Sequence, residues 1–68
     1  MKTEIFTGWA LSPPNAQKNA HDLCEAWILA QRLPVVELSR RVLDLKPKDG
    51  SMQWYCNLEL SYKEADRT

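Results

Sequence analysis

Only two glycines, Gly8 and Gly50, occur in this chain of 68 residues. That scarcity removes the glycine-rich loops that cradle phosphates in nucleotide-binding proteins. Soft metal ligands are few as well: two cysteines, Cys24 and Cys56, and one histidine, His21. A structural zinc site takes four ligands, usually in closely spaced pairs, so no metal is expected here. The chain has no excess charge, with nine Lys and Arg against nine Asp and Glu. A general electrostatic pull toward nucleic acid or an anionic membrane is therefore not expected. Nothing approaches the roughly 18 consecutive apolar residues of a membrane span. The opening "MKTEIFTGWALSPP" has one early Lys and a short mixed stretch rather than the regions of a secretory leader. Two cysteines without a leader read as reduced thiols in a cytoplasmic protein rather than as a disulfide.

Catalytic constellations are missing too. His21 and Asp22 are neighbours and diverge by about 100° on a helix, which prevents a relay. Cys24 falls one turn from His21 on an apolar stripe, where a thiol is inert. Carboxylates are scattered singly. No catalytic, cofactor-binding or metal residue is assigned, and the expectation is a protein that is not an enzyme.

What remains is an ordinary globular composition, 44% hydrophobic and 26% charged. The length fits one small domain, 1–68, burying only about 60% of its unfolded surface. Help from a partner or from a second copy is expected at this size.

The most legible run is "MQWYCNLELSY", residues 52–62. Met52, Trp54, Cys56, Leu58, Leu60 and Tyr62 alternate with polar neighbours, and the pattern predicts a half-buried strand. Residues 3–11 also read as a strand, bounded by Ser12-Pro13-Pro14, with an aromatic left on the outer side in either facing. Between them a helix is predicted to start at Ser12 as cap and Pro13 as first residue, and to end before Pro34. Its apolar stripe is Ala16, Ala20, Leu23, Trp27 and Ala30, with Cys24 at the edge.

Residues 35–45 are contested. Val35, Leu38, Val42 and Leu45 recur at helical spacing, yet Pro47-Lys48-Asp49-Gly50 is turn chemistry. A four-residue hairpin loop would set Lys46 opposite Ser51, Leu45 opposite Met52 and Leu43 opposite Trp54. The strand is then firm over 42–46 and extends back toward Val35. The fold class expected is α+β: a small two-layer β-α-β-β unit, one main helix packed on an antiparallel sheet with a C-terminal hairpin. The alternative is β-α-α-β, with a short second helix at 34–41. In the core, Trp27 and Trp54 are expected as the large central pieces.

Candidate binding residues follow from charge and aromatics. Arg40 and Arg41, with Lys46 and Lys48 nearby, form the best basic patch, suited to phosphates or to an acidic protein surface. In a strand the two arginines point to opposite faces, so one continuous patch needs the helical alternative. Tyr55, with Trp9 or Phe6 on the same outer side, supplies the residue types that anchor protein interfaces.

The "DLKPKDGSMQWYCNLEL" hairpin together with the first strand resembles the strand–helices–hairpin plan of the smallest phage repressors of the Cro type. The resemblance implies DNA binding through Arg40, Arg41, Lys46 and Lys48. It covers one turn motif, and the middle of the chain lacks room for a helix-turn-helix. The leading expectation is a protein-binding regulator or inhibitor that occludes a surface of a larger partner, with homodimer formation allowed. Small accessory proteins of phages and mobile elements, anti-CRISPR inhibitors among them, work this way; the analogy is one of size and type. The competing expectation is a small DNA-binding regulator.

Overall fold

The computed structural model describes residues 1–65. Four elements follow in chain order: β1 (Lys2–Ala10), α1 (Pro13–Ala30), β2 (Val35–Pro47) and β3 (Trp54–Glu64). This is the expected β-α-β-β unit. The sheet runs β1-β3-β2 with both pairings antiparallel, so the alternating C-terminal strand is its centre.

Alternation along β3 decides the two faces of the sheet. Cys56, Leu58, Leu60 and Tyr62 are buried beneath α1. Each fully buried leucine contributes about 1.5–3 kcal/mol. On β1 the ambiguity resolves in favour of Phe6, Gly8 and Ala10 inward, leaving Ile5 and Trp9 about half exposed on the other side.

Gly8 sets the distance between helix and sheet. A Cβ at this position would overlap the Ala16 carbonyl oxygen and the Ala20 amide nitrogen, both backbone atoms. Glycine on the strand and alanines on the helix thus let α1 lie directly on β1. The seating turns the line Ala16, Ala20 and Cys24 onto the sheet, all three fully buried. It corrects the expected stripe: Cys24 is central, while Leu23 is turned outward and 48% exposed. Ser12 occupies the cap position with an extended backbone, but its hydroxyl makes no capping bond; its carbonyl accepts from Ala16 N at 3.0 Å.

The two tryptophans do not meet at the centre. Trp27 packs edge-on to Phe6 and Tyr62, with ring centroids at 5.8 and 5.0 Å. Trp54 pairs with Ala10, and Tyr62 with Lys2, at opposite ends of β3. The 18 residues of α1 span about 27 Å, enough to join the two ends, so each tryptophan closes one end of the core.

The contested segment is strand throughout, and no second helix forms at 34–41. Two bulges account for the misleading pattern, one between Glu37 and Ser39 and one between Val42 and Asp44. Each inserts a residue and reverses the facing of everything beyond it. The residues of β2 that share the inner side of β3 are therefore Val35, Glu37, Arg40, Val42, Leu45 and Pro47. Among them Val35, Val42 and Leu45 fall at helical spacing.

The hairpin's register also differs from the expected one, because its loop is longer. Pro47 pairs with Trp54, Lys46 with Tyr55 and Leu45 with Cys56. The loop is longer than four residues, closed by Lys48 N donating to Gln53 O at 2.8 Å. Gly50 takes a positive φ of 72° within it. Met52 consequently belongs to the loop and is 86% exposed.

Candidate interaction surface

One layer of helix covers one side of the sheet. The opposite side carries Ile5, Thr7 and Trp9 from β1, Tyr55, Asn57 and Glu59 from β3, and Arg41, Asp44 and Lys46 from β2. No element among the described residues packs over it.

Its most distinctive part lies at the hairpin-loop end. Trp9 and Tyr55 are directly paired across the strands, ring centroids 5.3 Å apart and planes tilted by 43°. Lys48 reaches back from the loop to place its Nζ 5.6 Å from the centre of the Trp9 ring, within cation–π range. Lys46 stands beside Tyr55 on the neighbouring strand. Four of the sequence candidates, Trp9, Tyr55, Lys46 and Lys48, thus converge on one spot.

A polar row comes next. Thr7 Oγ1 donates to Asn57 Oδ1 at 2.7 Å, and Asn57 Nδ2 donates to Asp44 Oδ2 at 3.0 Å. The bond from Asn57, supplemented by Lys46 at 3.5 Å, holds the Asp44 carboxyl below the usual carboxylate range. Beyond it, Arg41 Nε donates to Glu59 Oε1 at 2.9 Å. The cations of these pairs are the outer partners. Arg41 and Lys46 side chains are 70% and 62% exposed, against 20% and 36% for Glu59 and Asp44. What this face offers to solvent is therefore mainly aromatic and cationic.

Arg40 goes elsewhere. The strand turns it to the helix side, where it is only 16% exposed. Its guanidinium spans Glu37, at 2.7 and 2.8 Å, and Glu25 on α1, at 2.5 Å, and also touches His21 Nδ1 at 3.2 Å. These carboxylates, Glu37 foremost, raise its already high pKa. Arg40 is a clasp between β2 and the helix, and Arg40 and Arg41 form no joint patch. The clasp escaped the sequence reading, because only the bulges put Arg40 on the inner side.

The thiols of Cys24 and Cys56 are free and fully buried. Burial pushes both thiol pKa values up, with nearby Arg40 opposing the shift at Cys24. Among the described residues, no group of three or more His, Cys, Asp or Glu is placed to hold a metal ion. A hollow of about 200 Å³ lies among Gln31, Arg32, Leu33, Val35, Tyr62 and Glu64. It falls below the roughly 300 Å³ at which small-molecule sites begin. Among the described residues no helix is long and apolar enough to cross a membrane.

With one helix between β1 and the hairpin, the likeness to the Cro-type plan stops at strand and hairpin. Comparison with family models, with curated proteins and with solved structures finds no match to this chain.

Proposed function

We propose that the chain is a non-enzymatic protein-binding regulator of the small-inhibitor type. It acts in the cytoplasm, lays the outer face of its sheet on an acidic surface of a larger protein, and occludes that surface. The observation that carries this reading is the Trp9–Tyr55 pair flanked by Lys46 and Lys48 on an uncovered sheet face. Tryptophan and tyrosine are enriched among residues that dominate binding energy. Exposed lysines speed and orient the encounter with an acidic partner. The two free, buried thiols suit a reducing compartment.

The experiment is affinity capture from a host lysate, followed by binding of the purified partner to the chain and to Tyr55→Ala, Trp9→Ala and Lys46→Glu. Each substitution is expected to weaken binding at least tenfold while the helical circular dichroism signal stays unchanged. Binding that is indifferent to all three contradicts the reading. Duplex DNA is the control ligand: a gel shift that weakens steeply with salt and is lost on Arg41→Glu would favour a DNA-binding regulator instead.

A further inference from the structure

The two edges of the sheet are not alike. On β2 the edge is broken by two bulges and ends in Pro47, devices that discourage another strand from pairing. On β1 the nine residues Lys2–Ala10 run without a bulge or a proline, and no described strand pairs with their outer side.

Lys48 N donates to Gln53 O across the hairpin, so Tyr55, Asn57 and Glu59 turn their backbone groups toward β2 by alternation. Their partners Trp9, Thr7 and Ile5 consequently turn theirs away from β3, and Thr3 follows. The Trp9 carbonyl is taken by Asn19 Nδ2 on α1 at 2.7 Å. Thr3, Ile5 and Thr7 are left with a ladder of outward N–H and C=O groups.

One charge stands over this ladder. Glu4 pairs with Leu60, which puts its side chain on the helix side of β1, partly buried. Among the described residues it forms no ion pair. Lys2, on the same side, is engaged by Glu64 at 2.7 Å. The helix supplies no cation either. Gly8 lies against Ala16 and Ala20, and Phe6 against Trp27, so α1 passes Glu4 with its C-terminal half. That end carries the negative pole of the helix, and its last turn holds no basic residue. By helical spacing from Asn19, the flank of α1 on this side is Leu23, Ala26 and Ala30, all exposed and neutral.

An inward charge guards an edge strand against indiscriminate pairing. A segment that is apolar or acidic at the facing position leaves the carboxylate uncompensated. A base at that position lifts the guard, because opposite charges across a strand pair are stabilising. We infer that the β1 edge takes an extended segment of another protein, added antiparallel, with a lysine or arginine opposite Glu4. Thr3, Ile5 and Thr7 then exchange backbone bonds with the segment. Glu4 falls at a pair without such bonds, where opposed Cα atoms stand about 4.5 Å apart and side chains meet. The residue opposite Phe6 comes to the helix side near Leu23 and is apolar. Main-chain bonds supply affinity and the facing side chains specificity. Trp9 and Tyr55 stay uncovered, so binding at the edge and binding at the outer face are lost by different substitutions.

The probe is a capped peptide, Ala-Thr-Leu-Val-Lys-Thr-Thr, added to the isotope-labelled chain; it sets leucine opposite Phe6 and lysine opposite Glu4. A second peptide has glutamate in place of the lysine. The lysine peptide should shift the amides of Thr3, Ile5 and Thr7 and slow their exchange. It should bind about fivefold tighter than the glutamate peptide, the size of an opposite-charge cross-strand pair set against a like-charge one. Glu4→Lys should reverse that preference with its circular dichroism intact, and the preference of the unaltered chain decides the matter if this variant unfolds. Equal binding of the two peptides, no amide shift at about 1 mM peptide, or shifts confined to Trp9 and Tyr55, overturns the inference.

Discussion

Gly8 lies against Ala20 with no room for a side chain between strand and helix. That contact fixes how α1 is seated, and so which residues are core and which face of the sheet is open. Gly8→Ala forces a Cβ into the backbone of Ala16 and Ala20, atoms that cannot swing aside. We expect a loss of about 3 kcal/mol or more, at the upper end of overpacking effects. Urea denaturation measures it, with Gly50→Ala as a comparison in open space, where only the strain of positive φ is added.

Arg40 and Arg41 should behave as opposites. Arg40→Lys loses the planar fork that spans Glu37 and Glu25, at about 1–2 kcal/mol of stability. Arg41→Lys disturbs one exposed pair with Glu59, and its stability should stay within about 0.5 kcal/mol. In binding the order reverses, with Arg41 on the docking face and Arg40 away from it. Denaturation curves and affinities of the two variants provide the check.

Burial pushes the Cys24 and Cys56 thiols up. In the unfolded chain they ionise at the ordinary thiol value, and in the folded chain only at higher pH. The stability tied to the neutral thiols is therefore complete below that ordinary value and falls as pH rises through the folded values. Alkylation at mildly alkaline pH should be slow in the native protein and fast in denaturant. Fast native labelling of either cysteine would show that the core is not closed as described.

Asp44 shows the opposite sign. Its carboxyl is held low, first by Asn57 and then by Lys46. Its contribution is present above the unfolded carboxylate value and fades as pH falls through the folded one. Asn57→Ala should move the Asp44 titration upward, as followed by carboxyl chemical shifts.

Much of this fold is legible in the sequence, and the rest has definite physical causes. The alternation from Trp54 to Tyr62 survives in β3 because its register with β1 is unbroken and the extra residues of both bulges lie on β2. Pro13 marks the start of the helix. In β2 the bulges convert alternation into spacings that mimic a helix, and they send Arg40 inward. Leu23 reads as core because it is large. The close approach at Gly8 selects small residues instead. Of the candidate surface, Trp9 and Tyr55 are legible as outward aromatics. Their pairing with each other and with Lys48 depends on a register that no local pattern specifies.

The account rests on the outer sheet face being the one that meets a partner. A photoreactive phenylalanine analogue placed at Tyr55, and separately at Asp22 on the solvent side of α1, tests this directly in the presence of the captured protein. Crosslinking from position 55 and none from position 22 is the predicted result. Crosslinking from position 22 alone would put the partner on the helix and contradict the account.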